Sequence, residues 1–220
     1  GVIIVNEKRK PNVIVFFTDQ QRWDTTGVHG NPLGLTPNFD RMARSGTDVH
    51  YAFTPQPVCA PARSVMLTGR YATNTGVFRN GIVPDPALPT LAQCFRAGGY
   101  TTGYIGKWHL GDADPVPVEQ RGGYETWLAA NLLEFTSDTY DTLLYDTEGR
   151  PVHLPGYRVD ALTDAAIRYI DAHQADPFFL FVSYLEPHHQ NHLDDYPAPV
   201  GYREQYTGRW TPPDLLALRG

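Results

Sequence analysis

Asn12-Val13-Ile14-Val15-Phe16-Phe17-Thr18 is a continuous apolar stretch that follows Pro11. It is too short for a typical helix and is rich in β-branched and aromatic residues, so it predicts a fully buried strand of a parallel sheet. Asp19-Gln20 follows at once. The carboxyl end of this strand is therefore expected to present polar groups to a ligand.

Predicted strands and helices alternate along the rest of the chain. The pattern predicts strands at 49–53, 100–105 and 178–184, and helices at 36–45, 62–68, 88–97 and 159–173. This alternation indicates an α/β fold, a mostly parallel sheet flanked by helices on both faces. Segment 112–155, rich in Pro, Gly, Asp and Tyr, is expected to be a surface excursion with a hairpin at 143–150.

The amino-acid composition argues against several classes of function. The chain has 220 residues, 41% of them hydrophobic, which permits a real core. The 18 Lys and Arg against 24 Asp and Glu give a net charge of -6 and argue against nucleic acid as a partner. No apolar run approaches the ~18–20 residues of a membrane span. The apolar segment 2–5 precedes Lys8-Arg9-Lys10, the reverse of a signal peptide, so no targeting segment is visible and the compartment stays unknown.

Cys59-Ala60-Pro61-Ala62-Arg63 places a nucleophile-type residue at a predicted helix start. The free backbone N–H groups and the helix dipole favour negative charge there. Arg63 lies one turn later on the same face, within reach of an anion beside residue 59. The alternative is a buried structural cysteine in a Pro-rich turn. A protein tyrosine phosphatase loop is excluded, because its arginine would stand at position 65, which is Val.

Residues 59–70, CAPARSVMLTGR, resemble the type I sulfatase signature, C-x-P-x-R followed by L-T-G-R, within the alkaline phosphatase superfamily. The resemblance extends over most of the chain through Asp19-Gln20, Thr36-Pro37-Asn38, 106–111 and Pro187-His188. It implies that residues 1–220 form the N-terminal part of a sulfatase catalytic domain. The family's later metal-ligand pair and a further lysine have no counterpart in this sequence.

The resemblance also implies a catalytic apparatus. Cys59 would be converted to formylglycine by a formylglycine-generating enzyme, and its hydrate would attack sulfur and later expel sulfate. Arg63 would hold the charge of the hydrate and the sulfate, and Lys107 would neutralise sulfate oxygens. His109 would assist breakdown of the intermediate, and His188 would protonate the leaving oxygen.

Asp19 and Gln20, together with residue 59, are the predicted metal ligands, for Ca²⁺ or alternatively Mg²⁺ or Mn²⁺. The simpler reading of Asp19 is a cap on the next turn. Many relatives have a second acidic residue where this chain has Gln20, whose carbonyl coordinates without adding charge. The Asp-Gln pair also resembles phosphonate monoester and phosphodiester hydrolases of the same superfamily.

Four further residues are weaker candidates for substrate binding: Arg79, Asn80, His189 and Asn191. For the first two a plain turn is the alternative, and for the last two a solvated loop. Cys94 is expected to be core packing in a helix.

The leading hypothesis is hydrolysis of an organic sulfate ester, and specifically of a carbohydrate sulfate, small or oligomeric. The alternatives are a phosphonate monoester or phosphodiester hydrolase and an inactive binding fragment.

Overall fold

A computed structural model describes residues 10–218; the N-terminal segment 1–9, with its apolar and basic residues, lies outside the described residues. The core element is a six-stranded sheet. Its strands are β1 Val13–Phe17, β2 Thr101–Lys107, β3 Thr126–Ala130, β4 Asp141–Tyr145, β5 Pro151–Pro155 and β6 Phe178–Ser183. The spatial order is β1-β6-β2-β3-β4-β5.

The helices are α1 Pro37–Ser45, α2 Cys59–Thr68, α3 Ala72–Thr75, α4 Leu91–Ala97, α5 Leu133–Thr136, α6 Arg158–Ala172, α7 Tyr202–Tyr206 and α8 Pro213–Ala217. Short 3₁₀ turns connect several of them. The α4 helix begins with a capping box in which Thr90 and Gln93 satisfy each other's backbone N–H groups. No helix within residues 10–218 has the length and apolar composition needed to cross a bilayer.

Strands β1, β6, β2 and β3 are mutually parallel, and β4 and β5 add an antiparallel hairpin at one edge. Successive side chains of a strand point to opposite faces of the sheet. The central strand β6 therefore contributes side chains to two separate hydrophobic cores. Phe178, Leu180 and Val182 pack in the cluster that includes α6. Phe179 and Phe181 pack on the opposite face, in the cluster that includes α2 and α4. The predicted α/β architecture with helices on both faces is confirmed.

The first strand differs from its prediction. It forms an edge of the described sheet and pairs only with β6, and its residues alternate between half-buried and exposed. Ile14 is 48% exposed and Phe16 is 64% exposed. A continuous apolar run predicts burial on both faces, but in the described part of the chain only one face of β1 is covered.

Three other expectations need correction. Residues 49–53 form no strand and are exposed, because no neighbouring strand pairs with them among the described residues. Cys94 is exposed on α4 and is not part of the core. Within 112–155, strand β3 pairs with β2 and carries the buried Trp127, so this part of the segment belongs to the sheet, while the predicted hairpin forms as β4 and β5.

Candidate active site

Parallel strands end at a common edge, and the candidate residues collect there. The order β1-β6-β2 places the strand before Asp19, the strand before His188 and the strand that ends at Lys107 side by side. Asp19 is buried, and its Oδ2 lies 3.0 Å from a guanidinium nitrogen of Arg63 and 2.9 Å from Nζ of Lys107. The structure therefore brings these segments together at one edge of the sheet.

Helix α2 begins at Cys59 and carries Arg63 one turn later. The Arg63 side chain is buried, and its Nη1 donates hydrogen bonds to the Lys107 carbonyl at 2.7 Å and to Ser183 Oγ at 2.8 Å. Its guanidinium also lies over the Phe17 ring, 5.2 Å from the ring centroid. The guanidinium is therefore held in place by groups from three strands, β1, β2 and β6.

Lys107 ends β2 and is fully buried. Its ammonium bridges two carboxylates, since Nζ lies 2.9 Å from Asp19 Oδ2 and 2.8 Å from Glu134 Oε1. A buried ammonium is tolerated only with such partners, because its desolvation is costly. Lys107 thus links the two halves of a buried charge cluster formed by Asp19, Arg63, Lys107 and Glu134.

Glu134 was missed in the sequence. It lies on the short helix α5, just after β3, and its side chain is buried. Oε1 contacts Lys107 and lies 3.5 Å from His109 Nδ1. The short, mainly apolar run at 126–130, followed by an acidic residue, is a usable signal for a strand end, but the expectation that 112–155 lies on the surface conceals it.

His109 does not continue the extended geometry of β2. It has a positive φ of 64°, while its backbone N–H donates to the Asn131 carbonyl at 2.9 Å. Lys107 and His109 are therefore not related by the side-chain alternation of an extended strand. The two side chains are instead brought together because both contact Glu134.

Backbone strain coincides with candidate residues. Gln20, His109 and Asp194 are the non-glycine residues with positive φ within residues 10–218. The left-handed region costs an L residue about 1–2 kcal/mol, and such strain clusters at functional sites. Two of these three positions, Gln20 and His109, were singled out from the sequence alone.

The charge cluster sets the protonation of its members. Burial by itself would raise the pKa of Asp19, but the charges of Arg63 and Lys107 outweigh it and hold that pKa below its ordinary value. Burial likewise opposes ionisation of Glu134, and Lys107 again lowers its pKa. Burial, followed by the charge of Lys107, lowers the pKa of His109 to about 4. Both carboxylates are therefore ionised and His109 is neutral near pH 7.

The Cys59 thiol is not activated by its place at a helix start. Burial raises its pKa, and the negative charges of Asp19 and Glu134 oppose the lowering by Lys107 and Arg63. The expected stabilisation of an anion by the helix N-terminus does not outweigh desolvation for this thiol. As a free cysteine, residue 59 is protonated at neutral pH.

His188 lies at the open side of the same centre. Its Nδ1 is 2.6 Å from the His189 carbonyl, which can only accept, so Nδ1 donates and Nε2 is left for other partners. The loop is held by the buried Arg158, which donates to Glu186 and Gln190 on either side of His188. One oxygen of Asp19, Cys59 Sγ and a ring nitrogen of His188 lie within 4.8 Å of one another.

A cavity of about 840 Å³ opens above these groups. Its floor includes Asp19, Gln20, Cys59, Arg63 and His188. Its walls are largely apolar and come from β1, α2 and the irregular segment before α2: Phe17, Ala52, Phe53, Pro55, Pro57, Val58, Val65 and Met66. The cavity is large enough for a small organic molecule.

The four weaker substrate candidates do not line this cavity. Asn80 accepts a hydrogen bond from the backbone N–H of Ala60 at 2.9 Å and so satisfies a free donor at the start of α2. Arg79 is exposed, and its guanidinium contacts the Asn80 carbonyl. His189 pairs with Asp194 at 3.1 Å. Asn191 is exposed at the start of a 3₁₀ turn.

The donor atoms suit a hard divalent cation in part. Asp19 is ionised and Gln20 is exposed to the same cavity, and together they offer carboxylate and amide oxygens. Cys59 adjoins Asp19. Ca²⁺ takes six to eight oxygen ligands, so these residues supply a portion of a coordination shell.

The chain matches known proteins over nearly its whole length. A profile of the Sulfatase family matches residues 11–212. The chain is 33% identical over 92% of its length to an ulvan-active sulfatase of Formosa agariphila, of which it covers 39%. It is 26% identical over 92% of its length to an N-acetylglucosamine-6-O-sulfatase of Bacteroides thetaiotaomicron, covering 37% of that protein. The chain thus spans about two fifths of these curated relatives.

Solved structures share the fold. A protein in complex with its substrate D-glucosamine-2-N,6-O-disulfate superposes with a TM-score of 0.80 at 25% identity, over 94% of this chain and 40% of that one. The phosphonate monoester hydrolase of Agrobacterium radiobacter gives a TM-score of 0.62 at 22% identity, over 92% of this chain and 45% of that one. The second likeness concerns the fold alone.

Proposed function

Because this chain belongs to the sulfatase family, we propose that the protein hydrolyses an organic sulfate ester, and that its substrate is a carbohydrate sulfate. The observation that carries the proposal is the position of the Cys59 signature. Helix α2 begins at the floor of the cavity, next to an ionised Asp19 and the buried cations Arg63 and Lys107. Nucleophile, cations and cavity therefore occur together.

The reacting group is proposed to be formylglycine made from Cys59 by a formylglycine-generating enzyme. The raised pKa of the thiol supports this, because a protonated, half-buried cysteine is a poor nucleophile at neutral pH. Addition of water to the aldehyde would give a geminal diol, with one hydroxyl for attack on sulfur and a second whose deprotonation would re-form the carbonyl and expel sulfate.

A divalent cation, Ca²⁺ in this proposal with Mg²⁺ or Mn²⁺ as alternatives, would be held by Asp19 and Gln20 together with residue 59. Such an ion supplies positive charge that stabilises an anionic substrate and an oxygen nucleophile. The described chain contributes its part by keeping Asp19 ionised. The closest contacts of Asp19 with Arg63 and Lys107 are made through Oδ2, and a cation would bind through Oδ1.

The proposed roles of the other charged and histidine side chains follow from their charge and from the position of the ring proton. Arg63 and Lys107 would stabilise negative charge on the sulfate group. His188, whose Nδ1 is occupied by a carbonyl, would act through Nε2 and protonate the leaving oxygen when charged. His109, neutral because of its low pKa, can accept a proton from the hydroxyl of residue 59. Glu134 would position Lys107 and His109.

A carbohydrate substrate is supported by the relatives, whose names include ulvan and N-acetylglucosamine sulfate activities, and by the apolar walls of the cavity. Exposed rings such as Phe53, which is 89% exposed, can pack against the apolar face of a sugar.

The test is the intact mass of the Cys59 peptide from protein made with the maturation enzyme. Conversion of the thiol to the aldehyde lowers the mass by about 18 Da, by the elemental arithmetic of this change. Activity on a sulfate ester should follow the modified fraction and disappear in Cys59→Ala. Full activity of protein that carries the unmodified thiol would contradict the proposal.

The Asp19-Gln20 pair favours a second candidate, a phosphonate monoester or phosphodiester hydrolase. Rates on matched sulfate and phosphodiester substrates with the same leaving group separate the two. A sulfatase should hydrolyse the sulfate with the larger kcat/KM. The reverse order would support the second candidate, and binding without turnover of either would indicate an inactive binding protein.

A further inference from the structure

Three side chains with metal-binding atoms lie together away from the cavity floor. They are His29, at the end of the 3₁₀ turn Gly27–His29, and Asp48 and His50, in the irregular segment after α1. One nitrogen of each imidazole and one oxygen of the carboxylate lie within 4.8 Å of one another. None of the three residues lines the catalytic cavity.

The spacing of two of these groups already matches that of metal ligands. His29 Nε2 lies 3.4 Å from Asp48 Oδ2. Zinc binds imidazole nitrogen and carboxylate oxygen at about 2.0–2.2 Å with tetrahedral angles, which places neighbouring ligands about 3.3–3.5 Å apart. His50 is exposed, so its side chain can approach the other two by rotamer adjustment.

The tautomer of neutral His29 also favours a metal ion at this cluster. The Thr26 hydroxyl donates to the Trp23 carbonyl at 3.1 Å, and its oxygen lies 2.7 Å from His29 Nδ1. With the hydroxyl proton used in this way, Nδ1–H donates to Thr26 and the lone pair of neutral His29 lies on Nε2. Two acceptors, Nε2 and Asp48 Oδ2, then face each other across 3.4 Å. With neutral His29 these two acceptors repel each other, and either a proton on Nε2 or a cation bound to both groups removes that repulsion.

Within residues 10–218, the only ion-pair partner of Asp48 is His29, and no Lys or Arg contacts its carboxylate. Trp23 flanks the cluster on one side, with its ring 5.7 Å from that of His29 and 6.3 Å from that of His50. Apolar surface beside a metal site limits solvent access and strengthens electrostatic binding.

From these contacts we infer that His29, Asp48 and His50 form a transition-metal site for which zinc is the fitting ion. Three protein ligands of nitrogen and oxygen type suit zinc, whereas Ca²⁺ and Mg²⁺ prefer oxygen ligands alone. Thr26 is the residue that fixes the His29 tautomer. His50 lies two residues before Ala52, which lines the cavity together with Phe53. A bound ion would therefore link this part of the cavity lining to the 3₁₀ turn that ends at His29.

The experiment is a calorimetric titration of Zn²⁺ into the metal-stripped full-length protein, with Ca²⁺ in excess to occupy the oxygen-rich centre. The parent should bind one Zn²⁺ that His29→Ala and His50→Ala each weaken at least about tenfold. His153→Ala is the matched control, since His153 is also an exposed imidazole paired with a carboxylate, that of Asp141 at 2.9 Å. It should leave Zn²⁺ affinity unchanged.

A second pair of variants tests the tautomer. Thr26→Val should weaken Zn²⁺ binding by about 10–100-fold, the usual effect of losing a hydrogen bond to a metal ligand, while Thr25→Val should not. Thermal unfolding without Zn²⁺ verifies that each variant is folded. Equal Zn²⁺ affinity of the parent, His29→Ala and His50→Ala overturns the inference, as does a parent with no such site.

Discussion

Cys59 shows how burial decides the chemistry of a single residue. A helix start favours a thiolate, yet the raised pKa shows that desolvation dominates here. Asp19 and Glu134 experience the same desolvation, but each touches a cation and therefore stays ionised. The difference between these residues lies in direct ion pairing, which the thiol lacks among the described residues.

The role of His188 can be tested by varying the leaving group. Removing a general acid matters most when the leaving group is poor, and the contribution is typically about 10²–10⁴-fold. His188→Ala should therefore slow a sugar sulfate far more than an activated aryl sulfate. His189→Ala is the control, because its ring pairs with Asp194 and lies outside the cavity lining. Equal losses on both substrates, or the selective loss in His189→Ala, would assign the role elsewhere.

His109 predicts a specific dependence of stability on pH. Its pKa falls from an ordinary 6.5 to about 4 on folding, so between these values the unfolded chain binds a proton that the folded chain does not. The free energy of unfolding should therefore decrease as the pH falls from 6.5 towards 4, by roughly 3 kcal/mol at about 1.4 kcal/mol per pKa unit.

Urea unfolding of the parent and of His109→Gln, at pH 7 and pH 4.5, measures this contribution. The variant should lose less stability across the interval than the parent. Asp19 and Glu134 have lowered pKa values, so their stabilising contributions are lost at lower pH, as the pH falls through those values. An identical pH dependence in parent and variant would show that His109 does not titrate as stated.

At the level of elements, the end of β2 depends on a glycine. Gly106 has a φ of +106°, and a Cβ placed on it would lie 2.0 Å from the Ser183 carbonyl oxygen of β6. The two strands can pair closely only without that atom. This close approach keeps Lys107, the next residue, beside Asp19 and Arg63.

Gly106→Ala should therefore destabilise the protein by about 3 kcal/mol or more, the sum of backbone strain and overpacking. Gly30→Ala is the matched control, because Gly30 has a similar φ of +100° but open space around its Cβ position. It should cost only the backbone strain, about 1–2 kcal/mol. Chemical denaturation compares the two, and equal losses would mean that the Ser183 contact is relieved without cost.

Elements with a strong local pattern were predictable, and elements that depend on distant partners were not. The amphipathic α6 and the apolar β6 were predicted within a residue or two of their observed bounds. Segment 49–53 has strand-like residues but no partner strand, so its local preference is not realised. The exposed face of β1 could not be read from composition either, since burial depends on which elements cover a strand.

At the scale of the whole molecule, the charge cluster is assembled from four separate segments. Asp19, Arg63, Lys107 and Glu134 follow or belong to β1, α2, β2 and α5. The sequence pointed to Asp19 through a strand end, to Arg63 through the start of a helix, and to Lys107 through the family resemblance. It missed Glu134, because its place depends on β3 pairing with β2, a contact between distant parts of the chain.

The sum of these charges leads to a prediction about metal removal. Two cations and two carboxylates cancel, so the cluster alone has little net attraction for a dianion such as sulfate. The proposed divalent cation would supply the excess positive charge. Stripping the metal from the full-length protein with EDTA should therefore weaken inhibition by inorganic sulfate by at least about tenfold, a change that the return of Ca²⁺ should reverse.

The ligand variants make this test specific to the proposed site. Asp19→Ala should lose activity more severely than Gln20→Ala, because Asp19, unlike Gln20, carries charge and pairs with Arg63 and Lys107. It should also make sulfate inhibition insensitive to added Ca²⁺, since the ion no longer has its charged ligand. If EDTA leaves sulfate inhibition of the parent unchanged, then the buried cations bind the anion without help and the cation does not contribute to sulfate binding.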